Sequence, residues 1–431
     1  MTTPAPRSPS FRWIVSGLLL SATTILYMDR QTLANVSVRV SLAFGLNEEQ
    51  YGDLELAFGW AFALGSLGFG LLVDYVSIRW LYPIALLGWS AAGVLTGFAT
   101  SYDELLACRT LLGLFEAGHW PCALATIQRL LTRDSRTMGN SVLQSGASLG
   151  AIITPLIVLG IIRSVDPGEQ VRLANFALGG GGAVAATGEP PTVWQLPFII
   201  VGAVGLFWIV AWLAIVRTQD LAKPVAKVGT SVAWSTFLDR RFVVLLVMVF
   251  CLNTSWQIIR AWLPKILIAG RGYEESTALL FNSAYYIATD VGCLLAGFAT
   301  LALARRGFNV HRTRVSVFAI CACLTALTVV ASTLPKGWPL LGVLLLIGAG
   351  SLGLFPCYYS FTQELTTTHM GKVTGSLAFT GWFLSSPIQK GFGRLVDVTG
   401  SYDLGFALVG LPPLVALGLL LLLWRNAESS T

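Results

Sequence analysis

The stretch LYMDRQTLAN, Leu26 to Asn35, sets an acid and a base, Asp29 and Arg30, inside the first long apolar run of the chain. A charge at hydrocarbon depth costs at least about 2.5–3.5 kcal/mol on insertion scales, so such residues face a polar interior and carry function. The competing reading is structural: Asp29 and Arg30 neutralise each other and lock two helices together. The rarity of charge at that depth favours function.

The rest of the composition agrees with a membrane setting. Of 431 residues, 55% are apolar and only 12% charged, and the mean hydropathy is +0.70. A soluble core of this size carries more charge and fewer uninterrupted apolar runs. A bilayer core of about 30 Å needs about 20 apolar residues per helix, and the sequence supplies such runs repeatedly. The expectation is an all-α polytopic membrane protein. The pI of about 9.0 needs no nucleic-acid partner, because the excess of Lys and Arg has a topological cause. The seven cysteines (108, 122, 251, 293, 321, 323 and 357) and the three histidines, His119, His311 and His369, lack metal-ligand spacing, so the cysteines read as small packing residues. No cleavable signal peptide is expected, since Arg7 and Arg12 lead into a span too long and too charged for one.

Twelve spans are predicted at 13–38, 51–73, 80–99, 104–127, 137–162, 196–217, 241–269, 277–303, 314–334, 338–361, 373–394 and 403–424. With the N-terminus inside, the cytoplasmic segments, tails and flanking Arg217, Arg241 and Arg314 hold about seventeen Lys and Arg, against about five in the outward loops. The positive-inside rule then puts both termini in the cytoplasm, and the expected location is the cell (inner) membrane. Residues 218–240, with Lys223, Pro224 and Lys227, read as a polar linker between an N-terminal six-helix half (1–217) and a C-terminal one (241–431). The outward loop 163–195, with Gly179–Gly182 and Glu189-Pro190-Pro191, reads as a flexible insertion.

The two halves echo each other. Met138-Gly139 followed by Pro155 recurs at identical spacing as Met370-Gly371 followed by Pro387. Trp120-Pro121-Cys122 is answered by Phe355-Pro356-Cys357, and Gly68 and Gly70 more loosely by Gly292 and Gly297. Parallel repeats related about the membrane normal place substrate at the midplane between them.

Six further ionisable groups stand out inside spans: Glu55, Arg109, Glu116, Arg260, Asp290 and Lys390. Arg109 and Glu116 are seven apart, hence on one helix face about two turns, or roughly 10 Å, from each other. Gly113 between them lets another helix approach closely. That geometry suits two charges lining a shared cavity; the structural alternative is that Arg109 buttresses span 1 through Asp29.

At these residues the chain resembles the anion:cation symporter branch of the major facilitator superfamily. The carriers of the resemblance are YMDR (Tyr27 to Arg30), R-x-x-x-G-x-x-E-A-G-x-x-P (Arg109 to Pro121), WLPKIL-x-x-x-RG (Trp262 to Gly272), RRGFNVHRTR (Arg305 to Arg314), WQLPFIIVGAVGLFW (Trp194 to Trp208) and D-x-TGSY (Asp397 to Tyr402). It is similar to bacterial hexuronate and galactonate proton symporters, and more distantly to vesicular glutamate and sialic acid transporters. The resemblance implies a major facilitator fold of twelve helices in two pseudo-symmetric halves. It implies that Arg30 grips a substrate carboxylate, that Asp29 and Glu116 exchange protons, and that Arg109 pairs with these acids. It also places Gln144 as a polar substrate contact, Arg260 where vesicular members carry an arginine on span 7, and Glu55 where they carry a functional histidine.

The chain departs from the family elsewhere. GLLVDYVSIR (Gly70 to Arg79) keeps Asp74 and Arg79 as gating residues but loses the Arg after Asp and the following Gly, and Leu301 stands where span 8 usually has an Asp. Phe62 replaces a tyrosine that touches sugar hydroxyls in galactonate transporters. Tyr27 and Thr380 are added as substrate contacts, and Glu55 and Asp290 as coupling groups; Asn253, Asn282, Tyr286 and Ser385 read either as hydroxyl ligands or as interhelical hydrogen bonds. The function expected is proton-driven symport of an organic anion, a sugar acid such as a hexuronate or aldonate, by alternating access. A proton-independent facilitator or exchanger of another carboxylate or a neutral sugar is the alternative. No cofactor is expected; the proton is the coupling ion, with sodium as the alternative, and the partners are the small anion and the bilayer, with the chain acting as a monomer. No HExxH, no Ser/His/Asp order and no metal-spaced set argues for an enzyme.

Overall fold

The computed structural model of the chain describes residues 9–131, 133–165, 193–221, 239–365 and 370–424. Most of the loop expected at 163–195 and of the linker expected at 218–240 lies outside them, as does the side chain of Asp74. The described residues make twelve helical passes. The first six are α1 (Pro9–Asn35) continued by α2 (Ser37–Phe44), α3 (Glu48–Tyr75), α4 (Ile78–Thr96), α5 (Tyr102–Glu116) continued by α6 (His119–Leu130), α7 (Arg133–Val165) and α8 (Gln195–Ile215). The second six are α9 (Arg240–Lys265) with a π-helical turn (Ile266–Gly270), α10 (Glu275–Arg305), α11 (Val310–Thr325) with α12 (Thr328–Thr333), α13 (Trp338–Leu365), α14 (Met370–Thr399), and α15 (Asp403–Val409) with α16 (Pro412–Leu423).

Ten of these passes are long and apolar enough to cross a membrane by length and composition. The two that fall short are α5–α6 and α14. The fourth pass carries Arg109, Glu116 and His119 and breaks at Ala117-Gly118, where Pro121 has no N–H to offer the Ala117 carbonyl. The eleventh carries Gln389, Lys390, Arg394 and Asp397. On the fourth pass these polar groups are buried against other helices, whereas on the eleventh only Gln389 is buried and Arg394 and Asp397 are exposed.

Three apolar clusters show how the passes assemble. One has its buried residues in the first six passes on the face bearing the described chain ends, with Leu19, Phe62, Phe69, Ile78, Trp89, Leu131 and Trp212, and Trp382 of α14 packs against it. A second occupies the same level of the last six, with Phe242, Met248, Phe318, Phe361, Leu377 and Trp424. The third lies towards the opposite, far face and is shared: Leu33, Tyr51, Leu159 and Trp194 pack with Ile258, Trp262, Phe281, Tyr286, Phe392 and Tyr402. The two sets of helices are therefore joined at the far face and parted towards the chain ends.

The junction is made chiefly by α3 along α14, by α7 along α10 and by α1 along α9. At Gly52 and Gly393 the backbones of α3 and α14 meet so closely that a methyl group on Gly393 would overlap the Glu48 carbonyl, and one on Gly52 would sit 2.5 Å from the Gln389 carbonyl oxygen. The start of α3 is satisfied from both sets. Asn47 and Gln50 form a local capping box, while both carboxylate oxygens of Asp397 on α14 accept from Glu48 N and Glu49 N at 2.9 and 2.8 Å.

Candidate functional site

Asp29 and Arg30 lie in the last turns of α1, just before it breaks at Val36. The Arg30 Nε donates to Glu116 Oε2 at 2.6 Å, with both side chains buried. Glu116 reaches it because it is the last residue of α5, turned inward where the fourth pass breaks. The Arg30 guanidinium is walled by aromatic rings, 4.6 Å from the centre of Phe62, 5.3 Å from Phe58 and from Trp382, and 5.5 Å from Tyr27. Trp382 comes from α14, so the second set of helices completes this wall. Cation–π contacts of this kind are worth about 2 kcal/mol when desolvated and leave the guanidinium edge available for hydrogen bonds. Arg30 Nη2, Glu116 Oε1 and Asp29 Oδ2 are buried with no protein partner.

Beside this pair stands a second carboxylate, Glu55 of α3, held by two arginines. Arg109 Nη2 of α5 donates to its Oε1 at 2.8 Å and Arg260 Nη2 of α9 to its Oε2 at 2.6 Å. Gly113 on α5 allows this: a Cβ there would overlap the carbonyl of Phe58, so α5 and α3 lie in direct backbone contact. Phe58 thereby comes under Arg109 as well, 4.7 Å from its guanidinium carbon. Arg260 is further aimed by Gln257 Oε1 at 2.7 Å and reaches the Arg30 carbonyl at 3.5 Å. Three arginines (30, 109 and 260) thus face three carboxylates (29, 55 and 116), and the buried cluster is formally neutral when all are ionised.

The pairing differs from expectation in one respect. Arg109 does not pair with Asp29 or Glu116; its ion pair is with Glu55, because Gly113 draws α3 rather than α1 against this face of α5. The Asp29–Arg30 pair of the structural reading is also not formed. Asp29 points towards α4, where a Cβ on Gly93 would sit 3.1 Å from its Oδ1, and it has no ion pair among the described residues. Asp290 lies apart from the cluster, accepting from Ser148 of α7 at 2.7 Å. Gln144, one turn before Ser148, is exposed, and Thr380 is half-buried on α14. Arg79 bonds within its own set, to Thr218 Oγ1 and the Leu213 carbonyl, each at 3.4 Å. All four C-terminal polar groups are hydrogen-bonded: Asn253 donates to Ser385 at 2.9 Å, Asn282 donates to Asn35 at 2.8 Å, and Tyr286 accepts from Gln31 at 2.5 Å. His119 is fully buried between Thr23 (3.1 Å) and Tyr82 (2.9 Å).

Apart from Lys390, sequence reasoning missed the far-face charges. Arg39 of α2 makes a two-pronged pair with Glu275 of α10, Nε to Oε1 at 2.8 Å and Nη2 to Oε2 at 2.7 Å, with the side chains 0% and 1% exposed. Lys265 meets Glu48 at 2.6 Å, and Lys390 meets Asp53 at 3.0 Å and Glu49 at 3.4 Å. Asp53 and Lys265 fall inside the predicted spans, so a stricter count of charges would have found them. Among the described residues no group of three or more His, Cys, Asp or Glu is placed to hold a metal ion.

The family model described as "Major Facilitator Superfamily" matches residues 19–389. Among similar proteins are a "D-galactonate transporter" from Escherichia coli O6:H1, 22% identical over 85% of this chain and 84% of that one. A "Probable sulfoacetate transporter" from Cupriavidus necator is 26% identical over 96% and 94%. The "Hexuronate transporter" of Escherichia coli K12 is 22% identical over 90% and 88%. Among solved structures, a bacterial homologue of the human lysosomal transporter Spinster superposes with a TM-score of 0.77 at 15% identity, covering 98% of this chain and all of that one. The xylose transporter of Escherichia coli gives 0.70 at 14% identity over 97% and 98%. At such identities these two bear on the fold alone.

Proposed function

Because the chain belongs to the major facilitator superfamily, we propose that it is a secondary active transporter that moves an organic anion together with protons by alternating access. The substrate class is a sugar acid of the hexuronate or aldonate kind, by analogy with relatives described as galactonate and hexuronate transporters. The face bearing the termini is cytoplasmic, by the distribution of Lys and Arg. The observation that carries the reading is Arg30: an aromatic-walled guanidinium held at one edge by Glu116 and unpartnered at Nη2.

The chemistry follows from charge. With Asp29, Glu55 and Glu116 all ionised the cluster is neutral, and an added carboxylate finds no uncompensated cation. A proton on Glu116 frees the edge of Arg30, whose planar fork matches a carboxylate with two parallel hydrogen bonds. Asp29, one residue away, takes a second proton and leaves a further positive charge for the anion. Proton and anion then favour each other's binding by a reciprocal coupling free energy of about 1–3 kcal/mol. Rocking of the two sets of helices transfers the loaded site between faces.

The test is uptake of labelled galacturonate, glucuronate and aldonates into proteoliposomes under an imposed proton gradient. Wild type is expected to concentrate its substrate, Glu116→Gln to exchange without concentrating, and Arg30→Ala to do neither. Transport by Arg30→Ala at the wild-type rate refutes the anion clamp. Uphill uptake by Glu116→Gln refutes its role in coupling, and uphill uptake driven by sodium alone, or none under any gradient, refutes proton symport.

A further inference from the structure

The proposed cycle accounts for Arg30, Glu116 and Asp29 and leaves Glu55 without a task. This carboxylate differs from the other two. Both of its oxygens are engaged, each by a different guanidinium, one from each set of helices, whereas Asp29 Oδ2 and Glu116 Oε1 have no protein partner. A carboxylate accepting from two arginines has both of its charge-bearing atoms already satisfied.

The two arginines that hold it form a second cationic position next to the first. Arg30 and Arg109 lie over the same Phe58 ring, at 5.3 and 4.7 Å from its centre, so their guanidinium carbons are within about 10 Å of each other, the two distances laid end to end. Arg260 touches the Arg30 carbonyl. Arg109 Nε and Nη1 have no protein partner. A six-carbon diacid gripped at one end by Arg30 reaches this position, but Glu55 already fills it.

We propose that Glu55 is a built-in anion occupying the place of a substrate's second acidic group, so that the site takes organic anions bearing one acidic group and excludes those bearing two. This rests on Arg30 as the anion clamp and deepens that reading by fixing the charge of the substrate. Glu55 is thereby a specificity-determining residue. Its side chain completes the Arg109–Arg260 pair, and a second acidic group brought there would meet a like charge in a buried site. Neutralising Glu55 leaves two guanidiniums without a counter-ion, the arrangement that binds a second carboxylate or a sulfonate.

The experiment is thermal stabilisation and equilibrium binding of the purified full chain with two probe sets. Galactonate and galacturonate carry one acidic group; galactarate, glucarate and sulfoacetate carry two. Wild type is expected to bind the first set at least tenfold more tightly than the second. Glu55→Gln, which keeps the shape and loses the charge, is expected to reverse that preference, its lowered thermal stability being recovered by the diacids. Glu55→Asp retains the charge and is expected to retain the wild-type preference. The double variant Glu55→Gln/Arg260→Gln is expected to lose the gain. Wild type that binds diacids as tightly as monoacids, or a Glu55→Gln variant that keeps the wild-type preference, overturns the proposal and leaves the anion clamp standing. Failure of every anion to bind either protein overturns the clamp itself, and this inference with it.

Discussion

The pair Arg39–Glu275 offers the sharpest test of how the far face is held shut. Its members come from α2 and α10, one from each set of helices, and both are buried only because those helices meet there. Replacing Glu275 by Gln leaves a buried guanidinium opposite a neutral amide. Breaking a buried pair by removing one partner costs about 3–5 kcal/mol, and the amide oxygen can still accept one bond, so the lower end, about 3 kcal/mol, applies. In a state with the far face open Arg39 is hydrated and that cost vanishes, so the penalty falls on the closed state alone. At about 1.4 kcal/mol per factor of ten, the ratio of far-closed to far-open molecules drops roughly 100-fold. Spin labels at Asp103 and Pro335, exposed at the far ends of the two sets, read this as a distance distribution. Wild type is expected to give one short population and Glu275→Gln a second, longer one; the reversed pair Arg39→Glu/Glu275→Arg restores the first. A folded Glu275→Gln protein with an unchanged distribution refutes the reasoning.

Three further outcomes follow from the same interface. Gly393→Val puts a side chain into the Glu48 carbonyl and is expected to hold α3 off α14, with the longer label distance dominating. Asp397→Ala removes both cross-set acceptors at the start of α3; at about 0.5–2 kcal/mol for loss of a cap, it is expected to lower the melting temperature measurably while local capping by Asn47 persists. Lys390→Ala, at a side chain that is 43% exposed despite its pairs with Asp53 and Glu49, is expected to cost less than about 1 kcal/mol and to change transport rates less than twofold, with any effect vanishing in high salt.

What the sequence made legible was whatever a single helix carries. Ten of the twelve passes follow from apolar length, and Arg30, Arg109 and Glu116 are conspicuous because charge at that depth is rare. The close approach at Gly113 is likewise a local pattern. The partners were not legible. Glu55 and Arg260 are far apart in sequence, and the choice of Glu55 rather than Asp29 by Arg109 depends on which helix Gly113 admits. Arg39 shows the same limit: hydropathy assigns it to an outward loop, and its burial arises only from packing one set of helices on the other. The far-face lock is a property of the interface and has no signature along the chain.

The distribution of satisfied and unsatisfied polar atoms separates holding from working. At the far face Arg39 and Glu275 meet atom for atom, and Asp397 engages both of its oxygens. In the cluster at the last turns of α1, six buried side-chain atoms of Asp29, Arg30, Gln31, Arg109 and Glu116 have no protein hydrogen-bond partner among the described residues. Buried polar groups ordinarily find partners, so a concentration of exceptions marks atoms kept for something other than the fold. Bonds at this level also cross between the sets, among them Glu55–Arg260, Gln31–Tyr286 and Asn35–Asn282. In the proposed cycle these must break when the far face opens. Arg260, which holds Glu55, also touches the Arg30 carbonyl, so the anion clamp and a cross-set ion pair share one stretch of α1. A shift of that stretch on loading is therefore felt at a bond between the two sets, which ties the rocking motion to the site.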